Sequence, residues 1–323
     1  MTSLKDQLHH EFEMKDLGEL QYFLGMRVMR NRENRMLGID QSTYIGSILA
    51  RFKLEGCKGA LMPMTQGVKL EKLGLDDVRE DQVIYQREIG SLMYAMLATR
   101  PDIAFAVSQL SQFSSNPSNQ HQRAAIHAFQ YLQATKDYGI TYCDAELILK
   151  GYSDADHGAT DDRRSMSAYI FMLNGGAVSW MSKKQPTVAL SSTEAEYIAL
   201  TQAVKESIWI QRLLGELGRQ VKDINVIHED NQGAIALANN PEFHACMKHI
   251  DIQYHFVHEN VQSSQIDLKY CPTKDMVADQ LTKPLCAVRH RYLVTKMGVN
   301  PIHAMNKALQ HHHTVPKAVA EWE

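Results

Sequence analysis

Apolar and polar positions divide the chain into blocks of different period. Residues 3–14 read as a short helix, and 21–28 and 35–39 as strands joined by the polar turn Arg30-Asn31-Arg32-Glu33-Asn34. In 41–52, Ile45, Ile48 and Leu49 share one helical face; a polar, charge-rich connection then runs from 56 to 82. Three helical pieces fill 85–137. Ile89, Leu92, Met93 and Met96 stripe the first. Pro101 opens the second, with Ile103, Val107, Leu110 and Phe113 on its apolar face. Asn116-Pro117-Ser118-Asn119 separates it from the third, 123–135. These stripes, methionines included, predict a helical core.

Past Gly139 the period becomes that of strands, predicted at 146–153, 167–173 and 177–181. Asn174-Gly175-Gly176 supplies the residue types that a hairpin turn with positive φ requires. A long helix over 193–217 stops at Gly218, followed by a strand at 224–228 and a helix at 232–239. A helix over 248–261, a strand at 267–271 and a short helix at 276–282 complete the series. Strands in succession, then helices and strands in alternation, predict a mixed α/β sheet. After Pro284 the pattern is weak, and His311-His312-His313 reads as a solvated run.

Composition adds bounds. The 323 residues, 44% hydrophobic and 22% charged, have room for two or three soluble globular domains. A net charge of -3 offers no global basic field, so contacts with nucleic acid must come from local patches. Cys57, Cys143, Cys246, Cys271 and Cys286 are scattered without a CxxC pair, as free thiols in a reducing compartment are. No apolar run reaches about 18 residues, and the N-terminus lacks a signal-peptide layout. The expectation is a soluble intracellular protein, cytoplasmic or nuclear, with no membrane partner.

The candidate chemistry lies in acids. In Tyr152-Ser153-Asp154-Ala155-Asp156, strand alternation sends residues 152, 154 and 156 to one side. Glu194 and Glu196 stand about 200° apart on a helix, so one site cannot take both. Ser191 and Glu194 fit a capping box, whereas Glu196 shares a stripe with Leu200, Ala203 and Ser207 that should face the sheet. Glu196 is therefore assigned to chemistry. Asp230 follows the apolar pair Val226-Ile227 and precedes a helix, a position where α/β sheets gather ligands. Its neighbour Glu229 is expected to point away by alternation. Asp279 lies in Met276-Val277-Ala278-Asp279-Gln280. Acids at the ends of separate elements, without a Cys/His cluster, suit hard divalent cations rather than zinc. Arg163-Arg164 and Lys183-Lys184 lie in loops, and Trp180 near the second pair gives the interleaving of cation and aromatic found in nucleic-acid binders.

The segment 149–284 resembles the ribonuclease H domain of copia-type retrotransposon polyproteins. The resemblance is carried by Gly151-Tyr152-Ser153-Asp154-Ala155-Asp156, Asp162-Arg163-Arg164-Ser165 and Ser179-Trp180-Met181-Ser182-Lys183-Lys184-Gln185. Also matching are Ser191-Ser192-Thr193-Glu194-Ala195-Glu196-Tyr197, Asp230-Asn231-Gln232, Lys248-His249-Ile250-Asp251 and Ala278-Asp279-Gln280-Leu281-Thr282-Lys283-Pro284-Leu285. Residues 11–29 and 85–113 resemble the end of the same polyprotein's reverse transcriptase and the helical connection behind it. The fold implied is α/β: a ribonuclease H-like mixed five-stranded sheet flanked by helices, preceded by a smaller α+β/helical reverse-transcriptase remnant. The implied boundaries are 1–82 for the remnant, 83–140 for the connection, 141–285 for the ribonuclease H-like domain and 286–323 for a weakly structured tail.

The resemblance further implies that Asp154, Glu196, Asp230 and Asp279 hold two Mg²⁺ ions, Mn²⁺ being the alternative, and that the RNA strand of an RNA–DNA hybrid is cut. A reverse-transcriptase palm or the full polyprotein is an implied partner, and a virus-like particle in the cytoplasm an implied setting. The palm's apolar strand followed by Asp-Asp is missing, since Asp76-Asp77 and Asp161-Asp162 lack that context, so polymerase activity is not expected. Where cellular ribonucleases H usually carry a mobile histidine, this chain has Cys271-Pro272-Thr273-Lys274-Asp275, as copia-type members do. His157 reads as a strand-end residue. The competing expectation is an inactive truncated remnant that only binds nucleic acid or a polymerase partner.

Overall fold

A computed structural model describes residues 2–302 apart from 73, 75–77, 144–146, 159, 161, 220–223 and 241–250. Expectations for Asp76-Asp77, Asp161, Cys246, Lys248-His249-Ile250 and His311-His312-His313 lie outside the described residues. The chain begins with α1 (Thr2–Glu11), β1 (Tyr22–Phe23), β2 (Met26–Asn31), β3 (Met36–Asp40) and α2 (Ser42–Arg51). Helix α3 (Gln82–Ala98) starts where the Asp81 carboxylate accepts the N–H groups of Val83 and Ile84. It is followed by a 3₁₀ turn (Pro101–Ile103), α4 (Ala104–Ser111), α5 (Asn119–Ala134) and β4 (Tyr138–Cys143). Buried Ile45, Ile48 and Leu49 of α2 meet Ile89 and Leu92 of α3, Val107 and Leu110 of α4, and Phe129 and Leu132 of α5 in one apolar cluster. Met93, expected on the buried stripe, is 37% exposed, while Tyr85 and Ala95 are fully buried in that helix.

The second half contains β5 (Lys150–Asp156), β6 (Met166–Leu173), β7 (Gly176–Lys184), α6 (Ser192–Glu216), β8 (Asn225–Glu229), α7 (Gln232–Asn239), α8 (Asp251–Gln262) and β9 (Ile266–Tyr270). A 3₁₀ segment (Val277–Leu281), α9 (Ala287–Lys296) and β10 (Val299–Pro301) follow. Asn174 and Gly175 take the positive φ values of 52° and 82° that the β6–β7 hairpin needs. The sheet order is β7-β6-β5-β8-β9, antiparallel across β5, β6 and β7 and parallel across β5, β8 and β9. This is the ribonuclease H-like arrangement.

Strand β6 is buried on both faces. Phe171 packs with Tyr197, Leu200 and Val204 of α6. Ala168, Ile170 and Met172 face Met276, Val277 and Leu281 instead. Gly151 in β5 is required by this packing, because a Cβ there would meet the Phe171 ring at 2.6 Å and Ile227 Cγ1 at 3.2 Å.

The region after residue 285 departs from expectation. Residues 287–301 form α9 and β10, which bury Leu293, Val294, Met297 and Val299. The strand pairs antiparallel with β4, completing a second sheet of order β1-β2-β3-β4-β10. Helix α9 buries only His290, Leu293 and Val294, too sparse an apolar stripe to mark it in sequence, and a three-residue strand shows no period. Ile140 of β4, Val299 and Ala104 of α4 share their apolar cluster with the outer face of the ribonuclease H-like sheet.

A buried ion pair ties these parts together. Arg100 and Asp102 are both fully buried, bonded through Nε (2.9 Å) and Nη2 (2.7 Å). Arg100 also donates to the Thr135 carbonyl (2.9 Å), and the Tyr131 hydroxyl donates to Asp102 (2.7 Å). Burial pushes the Asp102 carboxyl up, but Arg100 outweighs it and holds the group ionised below the usual range. Among the described residues, no helix is long and apolar enough to cross a membrane.

Replacing Asp102 by Asn strips Arg100 of its counter-charge in a site without solvent. Urea unfolding of the full chain should show a loss of about 3–5 kcal/mol. A loss under about 1 kcal/mol would show that the pair is not holding the connection together.

Candidate functional site

Parallel pairing sets the site. Gly151 is level with Ile227 and Tyr152 with His228, so Asp154 and Asp230 each follow two residues beyond a matched pair. Ser153 and Glu229 fall level by the same register. Ala155 packs with Ala195 and Ala199 of α6, which fixes the odd-numbered residues of β5 toward that helix. Asp154 points the other way, accepting a short hydrogen bond from the Thr282 hydroxyl.

The described residues bring the predicted acids into two overlapping groups. Carboxylate oxygens of Asp154, Asp230 and Asp279 lie within 4.8 Å of one another, and so do those of Glu196, Glu229 and Asp230. Oxygens across a Mg²⁺ ion stand about 4.2 Å apart, so small side-chain adjustments suffice to share an ion. Glu194 is placed elsewhere. Its N–H donates to Ser191 Oγ (3.1 Å) and its carboxylate accepts the Leu190 N–H (2.8 Å), so it serves the start of α6. Glu229 departs from the expectation that it points away. Strand β8 ends at Glu229 and the backbone bends there, so period-two alternation does not extend to Asp230. Glu229 continues the buried face of Asn225 and Ile227.

Five partners went unassigned in sequence. Thr273 donates to Asp230 (2.7 Å), and Thr282 to Asp154. Lys283 and Arg289 each lie 2.7 Å from an Asp279 oxygen. Glu229 is the fifth. Thr282 and Lys283 follow Asp279 by three and four residues, a spacing that folds them back over it on a helical turn; that signal was present. Arg289 comes from α9, where no pattern announced it. It also donates to the backbone carbonyls of Thr273 and Lys274, tying that loop to Asp279.

Burial dominates the electrostatics. It pushes Asp154 up to about 7, with Asp279 and Asp230 adding to it and Lys283 and Thr282 opposing it. Glu196 is pushed up to about 11 by burial and then by Glu229, Asp154 and Asp230. Glu229 rises well above the usual carboxyl range, again by burial first, although the Asn231 N–H opposes it. The Cys271 thiol in the loop before Thr273 is pushed up to about 11 by burial and by Asp275, Asp230 and Asp279, which keeps it neutral.

Lys183 and Lys184 end strand β7 instead of lying in a loop, and two of the four basic candidates are paired. Lys184 pairs with Asp162 at 2.8 Å, and Arg164 lies 3.5 Å from the same carboxylate. Arg163 and Lys183 are exposed. Trp180 is half-buried, and its indole N–H donates to the Met96 carbonyl of α3 (3.1 Å).

Together, strand order and converging acids define a ribonuclease H-like domain with a buried carboxylate centre. The family model described as reverse transcriptase (RNA-dependent DNA polymerase) matches residues 1–66. The retrovirus-related Pol polyprotein from transposon TNT 1-94 of Nicotiana tabacum is 42% identical over 289 residues, covering 88% of this chain and 22% of the relative. That from transposon RE1 of Arabidopsis thaliana is 40% identical over 299 residues, covering 92% and 20%. The chain belongs to the copia-type family of retrovirus-related Pol polyproteins. It spans about a fifth of the length of these curated relatives. A solved LC11-RNase H1 from compost superposes with a TM-score of 0.32 at 13% identity, over 42% of this chain and 93% of its own. That superposition is too loose to carry weight, and the fold rests on the strand order.

Without divalent ions, a carboxyl whose pKa is raised on folding binds more protons in the folded state, so stability falls as pH climbs from the unfolded to the folded value. For Asp154 that window runs from 3.8 to about 7. In EDTA, thermal unfolding should therefore favour Asp154→Asn over wild type increasingly from pH 4 to 7, by on the order of a few kcal/mol. A difference that does not vary with pH would mean Asp154 is not held protonated by its neighbours.

Proposed function

We propose that this chain is a divalent-metal-dependent endonuclease that hydrolyses the RNA strand of RNA–DNA hybrids. The convergence of carboxylate oxygens from β5, α6, the end of β8 and the 3₁₀ segment carries this reading. Asp154, Glu196, Asp230 and Asp279 are the proposed ligands of two Mg²⁺ ions. The donor set fits hard cations: it is all oxygen, it is largely buried, and Glu196 Oε2 has no hydrogen-bond partner among the described residues. When bound, such a pair of ions supplies positive charge at the phosphate and favours deprotonation of the attacking water.

The chain's own residues orient this chemistry. Thr282 and Thr273 fix the rotamers of Asp154 and Asp230 by donating to one oxygen of each. Lys283 and Arg289 offset Asp279, so its charge does not repel Asp154 unscreened. Exposed Arg163 and Lys183 are proposed to track substrate phosphates, with Arg164 and Lys184 contributing what Asp162 leaves of their charge. Trp180, anchored to α3, steadies β7, the strand that carries Lys183 and Lys184. The products are a 3′-hydroxyl and a 5′-phosphate.

The full chain is incubated with end-labelled hybrid and Mg²⁺. The RNA strand should be cut, EDTA should stop the reaction, and Asp230→Asn should lower the rate by more than about 100-fold, because even outer-shell losses at metal sites cost 10–100-fold. Undiminished cleavage by Asp230→Asn would refute the assignment of the site. Hybrid bound but left intact would instead favour an inactive remnant, and cutting of duplex DNA at the same rate would refute hybrid selectivity.

A further inference from the structure

The four proposed ligands leave one acid of the centre unexplained. Glu229 is fully buried, and its oxygens lie within 4.8 Å of those of Glu196 and Asp230. The Asn231 N–H donates to Glu229 Oε1 (3.2 Å), which fixes the carboxylate at the strand end. Glu229 Oε2 has no hydrogen-bond partner among the described residues, and neither does Glu196 Oε2. Ser153 is close enough to favour the ionised form of Glu229, but its hydroxyl lies outside hydrogen-bond geometry.

The contrast with the neighbouring group is informative. Asp154, Asp230 and Asp279 have Thr282, Thr273, Lys283 and Arg289 as partners. Among the described residues, no lysine or arginine pairs with Glu196 or Glu229. Burying a carboxylate oxygen without a partner is costly, and an acid that merely filled space there would be worse than an apolar residue of equal size. Two converging carboxyls with unpartnered oxygens describe a place for a hard cation.

We infer that Glu229 is a further metal ligand: with Glu196 and Asp230 it holds one of the two divalent cations. The inference rests on the two-metal reading above and extends it to a fifth acid.

Mn²⁺ binding to the full chain, followed by electron paramagnetic resonance without substrate, tests this. Wild type should bind two Mn²⁺ ions. Glu229→Gln should weaken one of them by at least about tenfold while sparing the other, and Asp279→Asn should weaken the other instead. The rise in Tm that Mg²⁺ confers on wild type should shrink in Glu229→Gln, since a ligand stabilises only the state that binds it. Should Glu229→Gln fail to fold, Glu229→Ala is read the same way. Two Mn²⁺ sites with affinities within about twofold of wild type in either folded variant would overturn the assignment, as would a wild type that binds fewer than two ions. Because this readout needs no hydrolysis, the two readings fail separately. Two ions bound through Glu229 with hybrid left uncut would sink the nuclease reading alone. Cleavage with both ions retained in Glu229→Gln would sink the Glu229 assignment alone.

Discussion

The burial of several carboxyl groups in one place is the constraint that the rest of this molecule must withstand. Asp154, Glu196, Asp279 and the adjacent pair Glu229-Asp230 come from four parts of the chain and converge in two overlapping groups, the oxygens of each within 4.8 Å. Two unit charges 4 Å apart near a protein surface would interact with about 4 kcal/mol, so without divalent ions burial and crowding keep Glu196 and Glu229 protonated, and such a cluster cannot assemble itself. It has to be forced together by packing that does not involve it. That packing is the double-sided burial of β6 against α6 on one face and the Val277–Leu281 segment on the other, with Gly151 letting β5 approach the Phe171 ring.

The charges are neutralised unevenly, and the unevenness follows from the chain's topology. The Asp279 side is served by Arg289 from α9. That helix is held in turn by residues of the N-terminal half, because the His290 ring meets Tyr131 edge-on at 5.2 Å and β10 pairs with β4. Burial lowers His290 to about 4, so it packs as a neutral ring beside the Arg100–Asp102 pair and adds no charge there. A fully buried arginine in the connection is thereby linked, through Tyr131 and α9, to an aspartate of the acidic centre. Among the described residues no lysine or arginine pairs with Glu196, which α6 itself carries, or with Glu229 at the end of β8.

What the sequence disclosed and what it hid divide along the range of the interactions. The β6–β7 turn was legible because Asn174 and Gly175 answer to local φ alone. The separation of Glu194 from Glu196 was legible because helix rotation is fixed over two residues, and their carboxylates indeed meet different partners. Glu229 was misread because alternation was carried past the end of the strand to Asp230; the strand runs to Glu229, one residue beyond the predicted 224–228, and the chain bends after it. The β4–β10 pairing joins residues some 160 positions apart in sequence, and Arg289 reaches its aspartate from a helix with a weak apolar stripe. Neither leaves a local mark, because each depends on surfaces that exist only once the sheets have formed.

These long-range ties bear on where one structural unit ends and another begins. A boundary set at 141–285 would retain the five strands and the proposed ligands, yet it would remove Ile140, Val299 and Met297 from the cluster that covers Ala168, Ile170 and Met172. It would also remove Arg289 from Asp279, leaving that carboxylate to Lys283 alone, and would free Trp180 from its bond to Met96. The outer face of the ribonuclease H-like sheet is therefore built from both halves of the chain. Apolar surface stripped from that face weakens the very packing that holds the buried acids together, so the connection acts on the acidic centre through stability. In this architecture the N-terminal half and the ribonuclease H-like domain are joined by a common core, and the acidic centre depends on residues from before and after the sheet that carries it.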